Sequence, residues 1–271
     1  LEAGISSRTT NLDVIALRNV LNFAIDEKWI KVLPLARSRR NKSKRGKTAE
    51  PKRELFDPTD LDALCEAALA KKENGETVTK NGQELCDYLR LMAYSGARRN
   101  EALGTKWSDV DFENMVLHVR RQVTHRGVEA PKNGQERKVN FNLKLEALLR
   151  EMSKRRAPDT DWVFPSPQRG NKDIPAKSFR ESLELARQHA VKDHPKLAGK
   201  GFHDLRHYFI SYCVMSGIDY MTIAEWVGHQ DGGVLIGKVY GHLADEHKKA
   251  MAQRVNFGPT IVDLEVANSG I

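Results

Sequence analysis

Apolar residues recur at helical spacing over residues 11–26, where Val14, Leu17, Leu21 and Ala24 mark one face of an amphipathic helix, with Ser6, Ser7 and Thr9 ahead of it as capping candidates. At Phe56-Asp57-Pro58-Thr59-Asp60-Leu61 a second unit opens: Asp57 suits the N-cap, Pro58 the first helical position, and Phe56 with Leu61 a hydrophobic staple. Helical periodicity continues over 84–94, where Gly96 closes the run, and over 143–152, 176–191, 221–227 and 243–255. The stretch holding Leu205, Phe209, Tyr212 and Cys213 is helical too, and the short apolar run Val234-Leu235-Ile236 leads to Tyr240. Between these helices, 107–112, 115–124 and 137–141 alternate in the β manner, with Gly127 and Asn133-Gly134 as turn signals. The expectation is an α+β fold, mostly α-helical, with a small antiparallel sheet and Lys132 on or beside a hairpin. No internal repeat is evident.

Composition narrows the function classes. With 271 residues and 40% hydrophobic content the chain can bury a substantial core, and no apolar run approaches the ~20 residues of a membrane span. The opening Leu1-Glu2-Ala3-Gly4 has neither an initiator methionine nor the charged-then-apolar pattern of a signal peptide, so a fragment without a leader is expected. Cys65, Cys86 and Cys213 are odd in number and far apart, which argues for a reducing compartment, the cytoplasm. Net charge is +8, and it is local: residues 31–53 hold ten Lys or Arg against Glu50 alone, leaving −1 for the remainder. Arg37, Arg39, Arg40, Lys42, Lys44, Arg45 and Lys47 form a basic linker suited to following a phosphate backbone; a merely solvated tether is the plainer alternative.

The chemistry concentrates in the last third. His203, Arg206 and His207 stand at i, i+3 and i+4, so an imidazole and a guanidinium project together, and Asp204 suits the positive end of the helix dipole. Gly228 is a suitable left-handed C-cap, after which a loop can aim His229. The i, i+4 histidines also have a zinc-like spacing, but the metalloprotease glutamate is missing between them and no clustered ligands complete a set, so no metal is expected. A phenol loses its proton only near pH ~10 and needs help to act as a nucleophile. Arginine beside histidine supplies that help when the electrophile is a phosphodiester, because the guanidinium fork binds nonbridging oxygens and stays charged.

Upstream, Ser95-Gly96-Ala97-Arg98-Arg99-Asn100-Glu101-Ala102-Leu103 resembles the first arginine box of the tyrosine recombinases, the phage-integrase family. Lys132, in Pro131-Lys132-Asn133-Gly134-Gln135-Glu136-Arg137-Lys138-Val139, is similar to that family's hairpin lysine; His203-Asp204-Leu205-Arg206-His207 resembles its second box, Gly228-His229 its third, and Tyr240 its nucleophile. Four separated boxes in order are a specific signal, where any one alone would be weak. Ser95 stands where threonine is common, and the interval from His229 to Tyr240 is longer than in much of the family, with Gly232-Gly233 inside it.

The resemblance implies residues 1–36 as the end of a helical core-binding domain, 37–53 as a basic linker, 54–257 as the catalytic domain and 258–271 as a tail that docks on a neighbouring subunit. It implies site-specific recombination through a 3′-phosphotyrosyl intermediate, integrating or excising a prophage or genomic island, with no cofactor. Arg98 and Arg206 would clamp the phosphate, Lys132 would protonate the leaving 5′-oxygen, His203 would take or relay the tyrosine proton, and His229 would add a hydrogen bond. Glu101, His207 and His242 would support them from behind. Implied partners are double-stranded attachment sites, a tetramer of this chain on DNA, and accessory DNA-bending proteins in a bacterial cytoplasm. Type IB topoisomerase-like relaxation and a non-catalytic DNA-binding accessory role are the alternatives from other function classes.

Overall fold

The computed structural model describes residues 7–34, 55–72, 74–131, 134–167, 173–241 and Ala252. The chain divides into two compact units, Leu1–Arg53 and Glu54–Ile271. In the first, α1 (Ser7–Asp26) begins four residues earlier than the periodicity predicts. Its apolar Leu12, Leu17, Val20 and Phe23 are exposed within this unit, and Phe23 meets Trp29 edge to face. The linker residues Arg37, Arg39, Arg40, Lys42, Lys44, Arg45 and Lys47 lie outside the described residues, as do Lys132, His242 and the tail.

The second unit is built around α3 (Gly82–Ser95), whose Leu85, Cys86, Tyr88, Leu89, Leu91 and Met92 are all buried. A helix apolar on so many sides must be enclosed by others. It packs against α2 (Pro58–Leu69), α5 (Leu143–Ser153), α6 (Arg180–Ala190) and α7 (Phe202–Met215). Tyr88 gathers the rings of Phe164, Phe179 and Phe202. At the start of α2, the Asp57 carboxylate accepts from the Thr59 and Asp60 amides while Asp60 accepts from the Asp57 amide, the reciprocal cap its sequence predicts. Helix α6 is shorter than the pattern over 176–191 suggests, since residues 176–179 lie outside any helix or strand while Ala176 and Phe179 are buried.

The sheet is smaller and more broken than the alternation predicts. Trp107–Asp109 form a 3-10 turn before β1 (Val110–Asp111). The run over 115–124 is two strands, β2 (Val116–Val119) and β3 (Gln122–Thr124), because the Arg121 guanidinium turns back onto the buried Asp109 carboxylate and the Gly104 carbonyl. Strand β3 pairs instead with β4 (Gly127–Glu129), so Gly127 is a strand residue at φ +117°. The main sheet is antiparallel in the order β1-β2-β5, with β5 (Arg137–Asn140) in the register Val119 opposite Arg137. Helices α8 (Tyr220–Val227) and α9 (Val234–Tyr240) close the unit, and Ile223, Val227, Ile236 and Tyr240 join Phe209, Ile210 and Val214 of α7 in a second apolar cluster. Among the described residues no helix is long and apolar enough to cross a membrane.

Candidate active site

The C-terminus of α8 is the meeting point. Three successive backbone carbonyls there each accept from a different guanidinium: Trp226 from Arg137 Nε (2.7 Å), Val227 from Arg206 Nη2, and Gly228 from Arg98 Nη2 (3.0 Å). The last carbonyls of a helix have no partner within it and carry the negative end of its dipole, so cations are favoured at this place. Gly228 at φ +66° turns the chain out of the helix, and its Cα lies against the Arg137 side chain. Sequence reading singled out Arg98 and Arg206. It missed Arg137, which was visible only as part of the hairpin segment and is brought in by the β5 register and by packing of β5 on α8.

Arg98 reaches the site through Gly96, the left-handed cap of α3 at φ +65°, where an added Cβ would strike the Phe209 ring at 2.4 Å. That turn also points the Gly96 carbonyl at Arg206 Nη1 (2.6 Å), so Arg206 bridges the ends of α3 and α8. Short helix α4 (Arg99–Leu103) then buries Glu101, only 2% exposed. Its carboxylate accepts from Arg98 Nη1 (2.8 Å), the Arg98 amide (2.8 Å), Arg137 Nη1 (3.0 Å) and Arg137 Nη2 (2.6 Å). An exposed i, i+3 ion pair with Arg98 does not describe this residue, whose side chain is enclosed. Burial by itself would raise the Glu101 carboxyl, but the hydrogen bonds and charge of Arg137, with Arg98 behind them, hold it at about 2.

Arg206 is 3% exposed, and burial together with the neighbouring Arg98 and Arg137 charges lowers its guanidinium to about 9, so it remains a cation at neutral pH. His229 is half-buried, and its Nδ1 has no hydrogen-bond partner among the described residues. Burial first, then the Arg206 charge, lower its imidazole below the usual range, which favours the neutral ring. His203 is exposed and borders a cavity of about 640 Å³ with Arg98, Asn100, Gln122, Arg180 and Arg206.

Tyr240 is 6% exposed, and its hydroxyl lies in hydrogen-bond contact with His207 Nδ1. His203 and His207, one turn apart on α7, meet edge to face with ring centroids 4.5 Å apart. The long interval before Tyr240 is taken up by a turn. Asp231 accepts from the Gly233 and Leu235 amides, Gly232 and Gly233 adopt φ +61° and +89°, and Gly233 sits so close to the Tyr220 carbonyl that a Cβ would come within 2.5 Å of it. Helix α9 then runs over the Tyr220 ring at Gly237. Arg98, Glu101, Arg206, His207, His229 and Tyr240 thus converge from four separate stretches, whereas Lys132 and His242 fall outside the described residues. No group of three or more His, Cys, Asp or Glu side chains among the described residues is arranged to hold a metal ion.

The chain is 27% identical over 177 residues to the tyrosine recombinase XerA of Pyrococcus furiosus, covering 65% of this chain and 56% of that protein. It is 25% identical over 273 residues to the ICEBs1 integrase of Bacillus subtilis, covering 94% and 67%. It therefore spans roughly half to two thirds of the length of these curated relatives. In fold it is similar to the Tn1549 transposon integrase bound to a circular intermediate DNA, with a TM-score of 0.67, 19% identity, and 93% and 81% of the two chains covered. A second likeness is to the XerH site-specific recombinase on difH substrate before cleavage, at TM-score 0.59, 19% identity, 92% and 66%. Residues 57–247 match the sequence profile described as the phage integrase family, and with the site built as above the chain belongs to that family.

Proposed function

We propose that this protein is a site-specific DNA strand transferase that cuts and rejoins duplexes through Tyr240. The convergence of Arg98 and Arg206 on the end of α8, beside a buried tyrosine whose hydroxyl contacts an imidazole, carries this reading. Two guanidinium groups already held by backbone carbonyls need little reorganisation to accept nonbridging phosphate oxygens, and they offset the charge that grows in a pentacoordinate transition state. Tyr240 Oη attacks phosphorus, the bond to the 5′-oxygen breaks, and the phosphodiester energy is kept in a 3′-phosphotyrosyl bond. Lys132 is assigned to protonate the leaving 5′-oxygen, His229 to donate a hydrogen bond to the phosphate, and His203 to the phosphate-facing cavity wall. Glu101 holds Arg98 in place.

The wider assembly belongs to the same proposal. Double-stranded attachment sites are the substrate, as DNA is for the Tn1549 integrase and XerH. Residues 1–36 contribute to a core-binding domain, the basic linker follows the DNA backbone, four copies act together on DNA in a bacterial cytoplasm with accessory bending proteins, and residues 258–271 dock on a neighbour. Integration or excision of a mobile element is the biological outcome.

The test is covalent capture on short nicked duplexes of randomised sequence. The expected result is a protein–DNA adduct linked through Tyr240, absent from Tyr240→Phe although that variant still binds DNA in a salt-sensitive manner. An adduct that persists in Tyr240→Phe overturns the assignment. Relaxation of a supercoiled plasmid without strand exchange between captured duplexes would point to topoisomerase-like chemistry instead.

A further inference from the structure

We propose that His207 is the catalytic base for Tyr240: its Nδ1 takes the phenolic proton as the phosphotyrosyl bond forms and returns it as that bond is resolved. This rests on Tyr240 being the nucleophile. The two histidines of α7 face different neighbours. His203 is exposed and borders the cavity shared with Arg98 and Arg206, while His207 is half-buried and touches the tyrosine oxygen itself.

With Nδ1 accepting, the neutral ring of His207 carries its own proton on Nε2. A phenol keeps its proton until near ~10, so attack by Tyr240 at neutral pH needs an acceptor placed at its oxygen, and His207 Nδ1 is in contact with it. The charge of a Tyr240 phenolate is also felt at Arg206, which places the developing anion next to a fixed cation. In the forward step the Tyr240 O–H proton passes to His207 Nδ1, the Oη–P bond forms, the P–O5′ bond breaks, and the 5′-oxygen leaves with a proton from the general acid. In the reverse step a 5′-hydroxyl gives its proton back to the general acid and attacks phosphorus, the Oη–P bond breaks, and the imidazolium returns its proton to Oη. Atoms and charge balance, and no external reagent enters.

Among the described residues, His203 meets His207 edge to face, and the charged groups that surround Arg206 beside Tyr240 are Arg98 at the start of α4, Glu101 on α4 and Arg137 on β5, with His229 after α8 near the same guanidinium groups. The guanidinium groups keep their charge through the neutral range, so an acidic limb in the rate reports an imidazole, and His203, His207 and His229 are each replaced by alanine in turn, with His229→Ala expected to keep the limb. The experiment measures single-turnover adduct formation by the full chain on duplexes captured from a randomised pool and resynthesised with a 5′-bridging phosphorothiolate, whose thiolate leaves without an acid. The range runs from about pH 5 to about pH 9.

The expected result is that His207→Ala slows adduct formation about 100-fold or more, loses the rise between about pH 5 and about pH 7, binds the duplex as before, and regains rate on adding imidazole. His203→Ala lowers the rate but keeps that rise. Retention of the acidic limb in His207→Ala, or its loss in His203→Ala alone, overturns the proposal. On the DNA-free protein, nitrogen-15 spectra of the histidines test the same contact: His207 Nδ1 should show an acceptor signature that Tyr240→Phe removes, and an unchanged signal is a refutation even where His207→Ala fails to fold. An adduct on a residue other than Tyr240 would instead sink the nucleophile assignment, so the two failures are distinct.

Discussion

The arginine frame and helix α9, which carries the proposed nucleophile, are built on opposite terms. Arg98, Arg137 and Arg206 are fixed by paired carboxylate oxygens and by carbonyls from two helix ends, and every guanidinium has at least two partners. Helix α9 is seven residues long, leaves Val234, Leu235 and Val239 exposed, and is anchored by Ile236, Tyr240, the Asp231 cap and close approach to Tyr220. In the proposed reaction a phosphate-binding frame gains from being fixed before substrate arrives, since reorganisation would cost free energy at the moment of reaction. The proposed nucleophile, which would attack and later be released, gains from a lighter attachment. A polar link between the two regions is the Tyr240 hydroxyl against His207, on the helix that also carries Arg206.

Removing Arg137 should break the frame most severely. Arg137→Ala deletes the partner that meets both oxygens of buried Glu101, and loss of one member of a buried pair costs about 3–5 kcal/mol. A urea midpoint should register that loss, and adduct formation should fall with it. Because Arg137 touches the Glu101 carboxylate and the Trp226 carbonyl, Arg137→Lys should recover only part of the stability, since an ammonium cannot reproduce the fork.

Acid should weaken the same frame next. The Glu101 carboxyl is held at about 2, below an unfolded value near ~4.3, so its contribution is present above the unfolded pKa and is lost as pH falls through that window. Its side chain is fully enclosed, and the shift corresponds to about 3 kcal/mol. Chemical denaturation of wild type and Glu101→Gln between about pH 5 and about pH 2.5 should show a steeper loss in wild type. Asp57, also held at about 2, is about a third exposed, so solvent screening leaves Asp57→Asn with a smaller effect.

The lightest attachment gives the smallest effect on stability and a separate effect on chemistry. Gly233→Ala combines φ +89° with a Cβ within 2.5 Å of the Tyr220 carbonyl. It should lower the global midpoint by about 1–3 kcal/mol while cutting adduct formation about tenfold or more, because the strain falls on the turn that seats Tyr240. Gly232→Ala has a positive φ but open space, and should cost about 1 kcal/mol with little kinetic change. Equal rates in the two variants would show that the Tyr220 contact does not position α9.

Much of this was legible in residue order. The Asp57 cap, the helices at 84–94 and 143–152 and the Gly96 and Gly228 caps follow from local rules that act within a few residues, and the boxes around Arg98, Arg206, His229 and Tyr240 from the family resemblance. The strand pattern over 115–124 misled because alternation cannot reveal that Arg121 leaves the ladder for Asp109. The histidine contacting Tyr240 was also out of reach: i, i+3 and i+4 spacing puts His203, Arg206 and His207 on one side of α7 without saying which of them another helix will meet.

The sequence by itself determined the kinds of elements, the family and the inventory of cations, imidazoles and phenol. Tertiary structure decided the frame that holds them, because apart from the Glu101 carboxylate its acceptors are the main-chain carbonyls of Gly96, Trp226, Val227 and Gly228. Every residue has a carbonyl, so composition is silent about which ones matter. Only the path that brings the ends of α3, α8 and β5 together selects them, and with them Arg137.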